Sequence, residues 1–348
     1  MKKSNTFILF ILPLLAVSSF LGSTACTNAP AVSGGENISA QTAAADSQKL
    51  QTVRIGGVTD PLTDSGAIAQ NLGYLDEELA KAGYKPEIAA FPQAGPAINE
   101  ALTAKAIDFA IYTEFPQLML FSSGVDIRAI ATILSDQQYG VIVREDSGIK
   151  DVRGLAGKNV IVPKGTGMEK VFYHLTAEYN IAPGSINQLN ALADQQSLYA
   201  SGQADAAVST YLGIMLLKSL TGGEIIFSTA EKPEWSTTGL LAGRADYMEK
   251  NPEAAKALIR ALQKAYRFAA ANHDRACEVM ATEQLPASFI RAVYAYSPDF
   301  SIYNPVISDS VIARIEDTNN FLAQQGLIPQ KVDLNQFIDK SYYEAVQN

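Results

Sequence analysis

The segment of this sequence best suited to binding an anion is a short glycine-rich turn, Gly165-Thr166-Gly167. It follows the apolar residues 160–162 and precedes a stretch with helical periodicity, so it lies between a strand and a helix. The first N–H groups of a helix lack partners, and the helix dipole is positive there. Glycines let this backbone approach a ligand, and the Thr166 hydroxyl adds a donor. The alternative is a plain turn in which Thr166 is the N-cap.

Two further threonines occupy the same kind of position. Residues 108–113 and 205–210 share the pattern Asp-x-Ala-aliphatic-x-Thr, which ends at Thr113 and Thr210. Either these are equivalent strands of two similar lobes, or the similarity is chance between two α/β segments. Because ligands of α/β sheets bind beyond the carboxyl ends of the strands, Thr113 and Thr210 are candidates for opposing walls of one cleft.

Glu114 and Trp235 are candidates for recognising the organic part of a ligand. Glu114 follows Thr113 directly, and it either stabilises the first turn of a helix or pairs with a cationic or N–H group of the ligand. A functional Glu114 would favour a zwitterion over a bare inorganic anion. Trp235, the single tryptophan, precedes the hydroxyls of Ser236 and Thr237 and either covers a ligand or packs at a hinge.

Motifs for catalysis and for metal binding are absent from the sequence. There is no Gly-x-Ser-x-Gly, His-Glu-x-x-His, Walker or Rossmann pattern. Two distant histidines and one free cysteine do not build a metal site. Cys277 lies in a helical pattern and is predicted to be a small buried residue. We therefore expect a protein that is not an enzyme and that needs no cofactor.

The composition is that of a folded, acidic protein. The chain has 348 residues, of which 47% are hydrophobic and 18% are charged. Such a chain is long enough for about two domains of roughly 150 residues. It has 27 basic and 36 acidic residues, no basic run and a net charge of −9. Nucleic-acid binding requires clustered Lys and Arg, so we exclude that class of partner.

The N-terminal residues have the pattern of a bacterial lipoprotein signal. A basic start is followed by the apolar residues 7–17 and by the small residues that lead to Cys26. In such proteins the cysteine becomes the acylated N-terminus, although Ser23 stands where Leu is preferred. The alternative is an ordinary signal peptide with an incidental cysteine. We expect residues 1–25 to be the signal and residues 26–51 to be a flexible, lipid-anchored tether.

Strand and helix patterns alternate along most of the remaining chain, which predicts a parallel-type α/β sheet covered by helices. The predicted strands are 53–58, 86–91, 108–113, 127–134, 140–143, 160–162, 205–210, 225–227 and 238–243. Helices are predicted at 67–82, 95–104, from after Thr113 to near Gly124, from 167 to 178, and over most of 251–348, where the segments 252–271, 275–282, 286–294 and 308–325 are periodic. Helical stretches are also predicted before Asp205 and after Thr210.

Several short motifs, in this order and spacing, resemble those of ABC-importer solute-binding proteins for aliphatic sulfonates, taurine and nitrate. The resemblance covers about residues 52–340. It rests on Val53-Arg54-Ile55-Gly56, Phe91-Pro92-Gln93-Ala94-Gly95-Pro96, Ile107-Asp108-Phe109-Ala110, Leu155-Ala156-Gly157-Lys158, Lys164-Gly165-Thr166 and Leu327-Ile328-Pro329-Gln330-Lys331-Val332-Asp333. One departure concerns the ligand: many sulfonate binders have Trp-Asp-Pro where this chain has Tyr211-Leu212 after Thr210.

The resemblance implies a type II periplasmic-binding fold with two mixed α/β lobes and a two-segment hinge. The first lobe would comprise 52–138 and 239–348, and the second 139–238. The implied ligand-binding positions carry over to Thr59, Asp60, Tyr112, Thr113, Glu114, Gly165, Thr166, Gly167, Thr210, Tyr211, Ser236 and Thr237, to which we add Trp235.

The function implied is that of an extracytoplasmic binding lipoprotein, a monomer that holds a small organosulfonate in the cleft and delivers it to an ABC permease. Tyr112, Tyr211 and Trp235 would line the organic part. Alternatives are a binding protein for nitrate, bicarbonate or an amine-bearing heterocycle such as a thiamine-precursor pyrimidine. A structural surface lipoprotein would lack ligand-dependent closure. Pyrimidine-synthesis enzymes of this fold need an iron site and a cysteine-rich motif, which this sequence lacks.

Overall fold

The computed structural model describes residues 49–347, and within them the chain forms ten strands and fourteen α-helices. Cys26, the signal segment and nearly all of the tether lie outside these residues. The strands are β1 (Gln51–Gly57), β2 (Tyr84–Ala90), β3 (Phe109–Thr113), β4 (Ile127–Gln137), β5 (Tyr139–Val143), β6 (Asn159–Ile161), β7 (Asn187–Leu189), β8 (Ala206–Thr210), β9 (Glu224–Ser228) and β10 (Thr237–Arg244).

The helices fall between the strands and in the C-terminal part of the chain. They are α1 (Asp64–Asn71), α2 (Tyr74–Lys81), α3 (Gly95–Thr103), α4 (Glu114–Ser122), α5 (Gly167–Glu178), α6 (Gln195–Ala200), α7 (Tyr211–Thr221), α8 (Ala245–Met248), α9 (Pro252–Ala271), α10 (His273–Met280), α11 (Ala287–Val293), α12 (Asp309–Gln324), α13 (Leu334–Phe337) and α14 (Ser341–Glu344). In the part of the chain that the structure describes, none of them is long and apolar enough to cross a membrane.

Two five-stranded sheets of the same design form the two lobes. The first lobe has the strand order β2-β1-β3-β10-β4, and the second has β7-β6-β8-β5-β9. In each sheet the first three strands are parallel, and the fourth is antiparallel to both of its neighbours. The sheets are therefore mixed, as the predicted fold class requires. The placement of the lobe boundaries at 138/139 and 238/239 stays a prediction, although β10 already begins at Thr237.

The repeated Asp-x-Ala-aliphatic-x-Thr pattern occupies the central strand of each sheet. Asp108 accepts a hydrogen bond from the Arg54 N–H at 3.0 Å, and Asp205 accepts one from the Asn159 N–H at 2.8 Å. In both lobes the carboxylate thus binds the backbone of the neighbouring parallel strand just before the central strand begins. The same residue type performs the same task in both sheets, which confirms that the two segments are equivalent strands.

Two local expectations were wrong or incomplete. The single helix expected at 67–82 is two helices, α1 and α2, because the chain turns at Gly73 with φ of 72°. This left-handed conformation is accessible to glycine at little cost and ends a helix. The strand β7 was not predicted, since a strand of three residues is too short to show a period. Helix α6 corresponds to the helical stretch expected before Asp205.

The cores lie on both faces of the sheets. In the first lobe, α9 packs on α1 and α2 through a row of fully buried alanines, which lets the helix axes approach closely. Helices α3, α4 and α12 cover the opposite face. Cys277 is fully buried in the first of these layers, as predicted for a small apolar residue, and burial raises the pKa of its thiol.

The arginines around Asp108 distinguish the two central-strand aspartates. Asp108 is 1% exposed and pairs with Arg54 at 2.7 Å and Arg244 at 3.3 Å. We expect Asp108→Asn to lower the free energy of unfolding by about 3 kcal/mol, because it leaves two arginines without their buried partner. Asp205→Asn, the matched control, should cost about 1 kcal/mol, the value of one hydrogen bond. Urea denaturation measures both, and equal losses would contradict this account.

Candidate functional site

Helix starts from both lobes gather where the chain crosses between the sheets. Helix α4 begins directly after Thr113, and α7 begins directly after Thr210. Thr113 pairs with Gly239 of β10, and Thr210 pairs with Tyr139 of β5, so both threonines lie at the crossover segments. The structure therefore brings together the ends of the two equivalent central strands, each followed at once by a helix.

The glycine-rich turn before α5 packs closely against the first lobe. A side-chain carbon built on Gly95 would lie 3.5 Å from the Gly165 carbonyl oxygen, and one built on Gly165 would lie 3.3 Å from Pro96. One built on Gly167 would overlap with the hydroxyl of Tyr139. Glycine is thus required where the start of α5 meets the crossover and the start of α3. Three of the helix starts that face the cleft, those of α4, α5 and α7, are close to the crossovers.

The hydroxyl of Thr166 is fully engaged inside the turn. It accepts a hydrogen bond from the Met168 N–H at 3.3 Å and donates one to the Pro163 carbonyl at 2.7 Å. The Glu169 carboxylate accepts the Gly165 N–H at 2.8 Å. Thr166 is therefore the N-cap of α5, and a protein carboxylate already takes one of the donors expected for a ligand. Any ligand contact at this turn must come from other N–H groups.

Thr113 and Thr210 differ in what their hydroxyls do. The Thr210 hydroxyl caps α7 by accepting the Gly213 N–H at 3.1 Å. Thr113 occupies the N-cap position of α4 with extended backbone, but its side chain makes no capping bond. It is half-buried at the end of β3. Of the two, Thr113 is the better-placed hydroxyl donor.

Glu114 is a buried junction residue. One carboxylate oxygen accepts the Thr238 N–H at 2.6 Å, and the other accepts the Thr318 hydroxyl at 2.7 Å. Glu114 is 0% exposed. Burial raises the pKa of Glu114, while the positive charge of Lys170 and these hydrogen bonds act in the opposite direction. Its carboxylate is thus committed to β10 and α12, which favours the structural interpretation over pairing with a ligand amine.

The three aromatic side chains expected around a ligand have different surroundings. Tyr112 is buried in the first lobe, where its hydroxyl donates to Asn99 at 3.0 Å. Trp235 is 7% exposed in the second-lobe core and stacks on His174 with ring centroids 5.1 Å apart. Tyr211 is half-buried and packs against the first lobe. Trp235 is therefore a packed aromatic near the hinge, and Tyr211 is the ring of the three that lies between the lobes.

The remaining predicted positions are held by local hydrogen bonds. Thr59 and Asp60 are exposed; the Thr59 hydroxyl donates to the Pro61 carbonyl at 2.7 Å, and Asp60 accepts from Gln70 at 2.8 Å. Ser236 and Thr237 are both 0% exposed. Their hydroxyls pair with those of Thr229, at 3.2 Å, and of Tyr139, at 2.6 Å. The two hydroxyls after Trp235 thus form hydrogen bonds that stabilise the crossover.

Sequence reasoning missed Tyr139 and Asp64. Tyr139 begins β5 at the crossover, and burial raises the pKa of its hydroxyl, with the charges of Glu114, Asp64 and Asp136 adding to the effect. Asp64 begins α1 at φ of 56° and accepts the Tyr294 hydroxyl at 2.5 Å. Burial raises the pKa of Asp64. Tyr139 lies opposite Thr210 in the β5–β8 pair, and this relation can be recognised only when the pairing of the strands is known.

The sequence matches the model of a known protein family. A sequence model described as NMT1/THI5 like matches residues 67–276, which is more than half of the chain. The chain belongs to the NMT1/THI5-like family.

Among residues 49–347, no group of three or more His, Cys, Asp or Glu side chains is arranged to hold a metal ion.

Individual relatives of this NMT1/THI5-like chain are named for sulfonate binding. A Bacillus subtilis (strain 168) protein, named as a candidate aliphatic sulfonates-binding protein, is 24% identical over 86% of this chain and 89% of its own length. The alkanesulfonate-binding protein SsuA from Xanthomonas axonopodis pv. citri, solved with bound MOPS, superposes with a TM-score of 0.70. The match covers 84% of this chain and 99% of that one, at 18% identity. This likeness confirms the two-lobed fold.

The same fold also carries an enzyme. The desulfurization enzyme DszB, solved as a point mutant in complex with biphenyl-2-sulfinic acid, superposes with a TM-score of 0.65 over 86% of this chain and 99% of that one, at 16% identity. Fold likeness alone therefore does not separate binding from catalysis among proteins of this fold.

His174 makes the stability of this region depend on pH. Burial, and to a lesser extent the charge of Lys170, lowers the pKa of His174 from 6.5 to about 4. The acidic groups Asp317, Glu234 and Glu178 act in the opposite direction. As the pH falls from about 6.5 to about 4, the unfolded chain takes up a proton at His174 before the folded protein does. Stability should therefore fall by up to about 3 kcal/mol across this window.

We expect His174→Phe to flatten this part of the stability profile, because it retains the stacking and removes the titrating group. Urea unfolding at pH 6.5, 5.5 and 4.5 measures the slope. An unchanged slope in His174→Phe would show that other groups cause the loss of stability.

Proposed function

We propose that this protein is an extracytoplasmic solute-binding protein of an ABC importer, and that it binds a small organosulfonate between its lobes. The observation that carries the proposal is the convergence of the α4, α5 and α7 starts, from both lobes, on the crossovers. Each start adds the positive end of a helix dipole. The relative named for aliphatic sulfonates, which matches most of the chain, supports the same ligand class.

A sulfonate group suits this arrangement because three oxygens share one negative charge and each can accept hydrogen bonds. The hydroxyl of Thr113 and those N–H groups at the starts of α4, α5 and α7 that have no partner within the protein would surround it. The Tyr211 N–H is not among them, since it donates to the Gln138 carbonyl at 2.9 Å. Donors from both lobes would have to meet the same group, so binding would stabilise closure of the lobes. The organic part would lie beside Tyr211, which packs between the lobes.

The environment of Glu114 favours a simple alkanesulfonate over a zwitterion. Each of its carboxylate oxygens accepts a hydrogen bond from the junction, one from Thr238 and one from Thr318, and Glu114 is fully buried, which disfavours contact with a ligand amine. The second candidate is an amine-bearing ligand such as taurine, and the observation in its favour is the position of Asp64. Asp64 begins α1, a few residues beyond the carboxyl end of β1, the end of a strand at which α/β sheets bind their ligands.

We further propose that the protein releases its ligand unchanged to a membrane permease. It would work as a monomer, anchored through an acylated Cys26 on the extracytoplasmic side of the membrane. The relative from Bacillus subtilis is named as a binding protein, in keeping with this proposal. The lipoprotein pattern before Cys26 supports the anchor.

A charge placed at the N-cap of α5 tests the anion site. Asp is as good an N-cap as Thr, so Thr166→Asp should fold while placing a negative charge at the start of α5. Like charges about 4 Å apart repel by roughly 4 kcal/mol at an effective dielectric constant of about 20. We expect the affinity for ethanesulfonate to fall at least about 100-fold in titration calorimetry.

Thr166→Asn is the matched control, since it caps the helix without adding charge, and it should bind ethanesulfonate within a few-fold of the wild type. Equal binding by both variants would remove the α5 start from the site. The same titration with taurine, nitrate, bicarbonate and a hydroxymethyl pyrimidine separates the ligand classes. Binding of taurine without ethanesulfonate would favour the Asp64 candidate, and binding of none would overturn the substrate class.

A further inference from the structure

A fully buried lysine of the second lobe lies against a helix of the first. Lys170, on α5, is 0% exposed. Its ammonium donates to the Thr318 hydroxyl of α12 at 3.0 Å and lies 2.7 Å from the Asp317 carboxylate. The latter is an ion pair without hydrogen-bond geometry, and the Asp317 side chain is 44% exposed. The charge carried by one lobe is therefore compensated largely by the other.

Lys170 also reaches the segment that returns the chain to the first lobe. Its ammonium donates to the carbonyls of Glu234 and Ser236, each at 3.4 Å. These residues immediately precede β10. The three hydrogen-bond donors of the ammonium are thus directed at α12 and at the second crossover.

The Thr318 hydroxyl connects Lys170 to Glu114. It accepts from Lys170 and donates to the Glu114 carboxylate at 2.7 Å. The other Glu114 oxygen accepts the Thr238 N–H. A buried carboxylate of the first lobe and a buried ammonium of the second are therefore joined through one hydroxyl, and the field of Lys170 favours the ionised form of Glu114. Buried charges are tolerated when they are paired and hydrogen-bonded in this way.

Aromatic packing extends the same interface along both helices. The Phe321 ring, one turn beyond Asp317 and Thr318 on α12, lies 5.0 Å from His174 and 6.2 Å from Tyr173, ring centroid to centroid. Tyr173 and His174 lie one turn beyond Lys170 on α5. The contacting residues are spaced by three or four positions on each helix, so a single face of α5 packs on a single face of α12.

We propose that Lys170 is an interlobe tie, a positioning residue that holds α5 against α12 and compensates Glu114 at the hinge. Removing the ammonium would leave Glu114 buried and unpaired in the other lobe. Separating the lobes at this interface would leave Lys170 itself without Asp317, its carboxylate partner, and without Thr318. The tie therefore makes the stability of the hinge depend on a residue that lies outside both crossover segments. It does not depend on the identity of the ligand.

A double-mutant cycle on the full chain tests the tie. Lys170→Met keeps the length of the side chain but leaves Glu114 unpaired, and we expect its folded-to-unfolded ratio to fall at least about 100-fold in urea denaturation. Adding Glu114→Gln should restore that ratio at least about tenfold, because the second change removes the unpaired charge. A double variant as unstable as Lys170→Met, or less stable, would overturn the proposal.

Lys232→Met is the matched control, because Lys232 belongs to the same lobe and pairs with Glu178 at 3.0 Å on the surface. Glu114→Gln should not rescue it. Thr318→Val is a second test in case Lys170→Met does not fold, since it keeps both charges and removes only the shared hydroxyl. We expect hydrogen exchange of residues 236–239 and 317–321 to rise about tenfold, with residues 187–189 unchanged. Unchanged exchange at the hinge would overturn the tie.

Discussion

The return of β10 into the first sheet, between β3 and β4, is the constraint on which the rest of the structure depends. It makes the second lobe an insertion between β4 and β10, and it places the two crossovers side by side, with Gln137 paired to Thr237. The central strands of both sheets then end at this junction. Helices α4 and α7 therefore begin there, from opposite lobes, without any special local sequence.

Buried polar groups stabilise the junction, and they include most of the hydroxyl groups that were expected to bind a ligand. Ser236, Thr237 and Thr238 are fully buried, and Thr166 and Thr210 cap helices. Buried polar groups must be satisfied, so this use of hydroxyls is what keeps a polar hinge stable. What remains for an anion is mainly backbone: the N–H groups at the helix starts, with the Thr113 hydroxyl beside them. Such a site would recognise an anion by its charge and shape.

Much of the fold could be predicted from the sequence, because strand and helix periods and the repeated Asp-x-Ala-aliphatic-x-Thr pattern are local signals. The break at Gly73 was missed because an apolar helical pattern continues across it. The site was harder to predict for a different reason. Glu114 and Lys170 are 56 positions apart in the sequence, and only their pairing through Thr318 shows that Glu114 has a structural partner. Thr166 and Trp235 were assigned by residue type, whereas their roles are set by the carbonyl and the rings that lie beside them in the folded chain.

The central claim is that a sulfonate binds where α4, α5 and α7 begin. A crystal structure with 2-bromoethanesulfonate tests it most directly, since bromine scatters anomalously and marks the ligand without ambiguity. The account predicts a bromine peak between the lobes beside Tyr211, with the sulfonate oxygens in hydrogen-bond range of Thr113 and of the first N–H groups of α5. A ligand bound elsewhere, or a sulfonate turned away from these helix starts, would contradict the account.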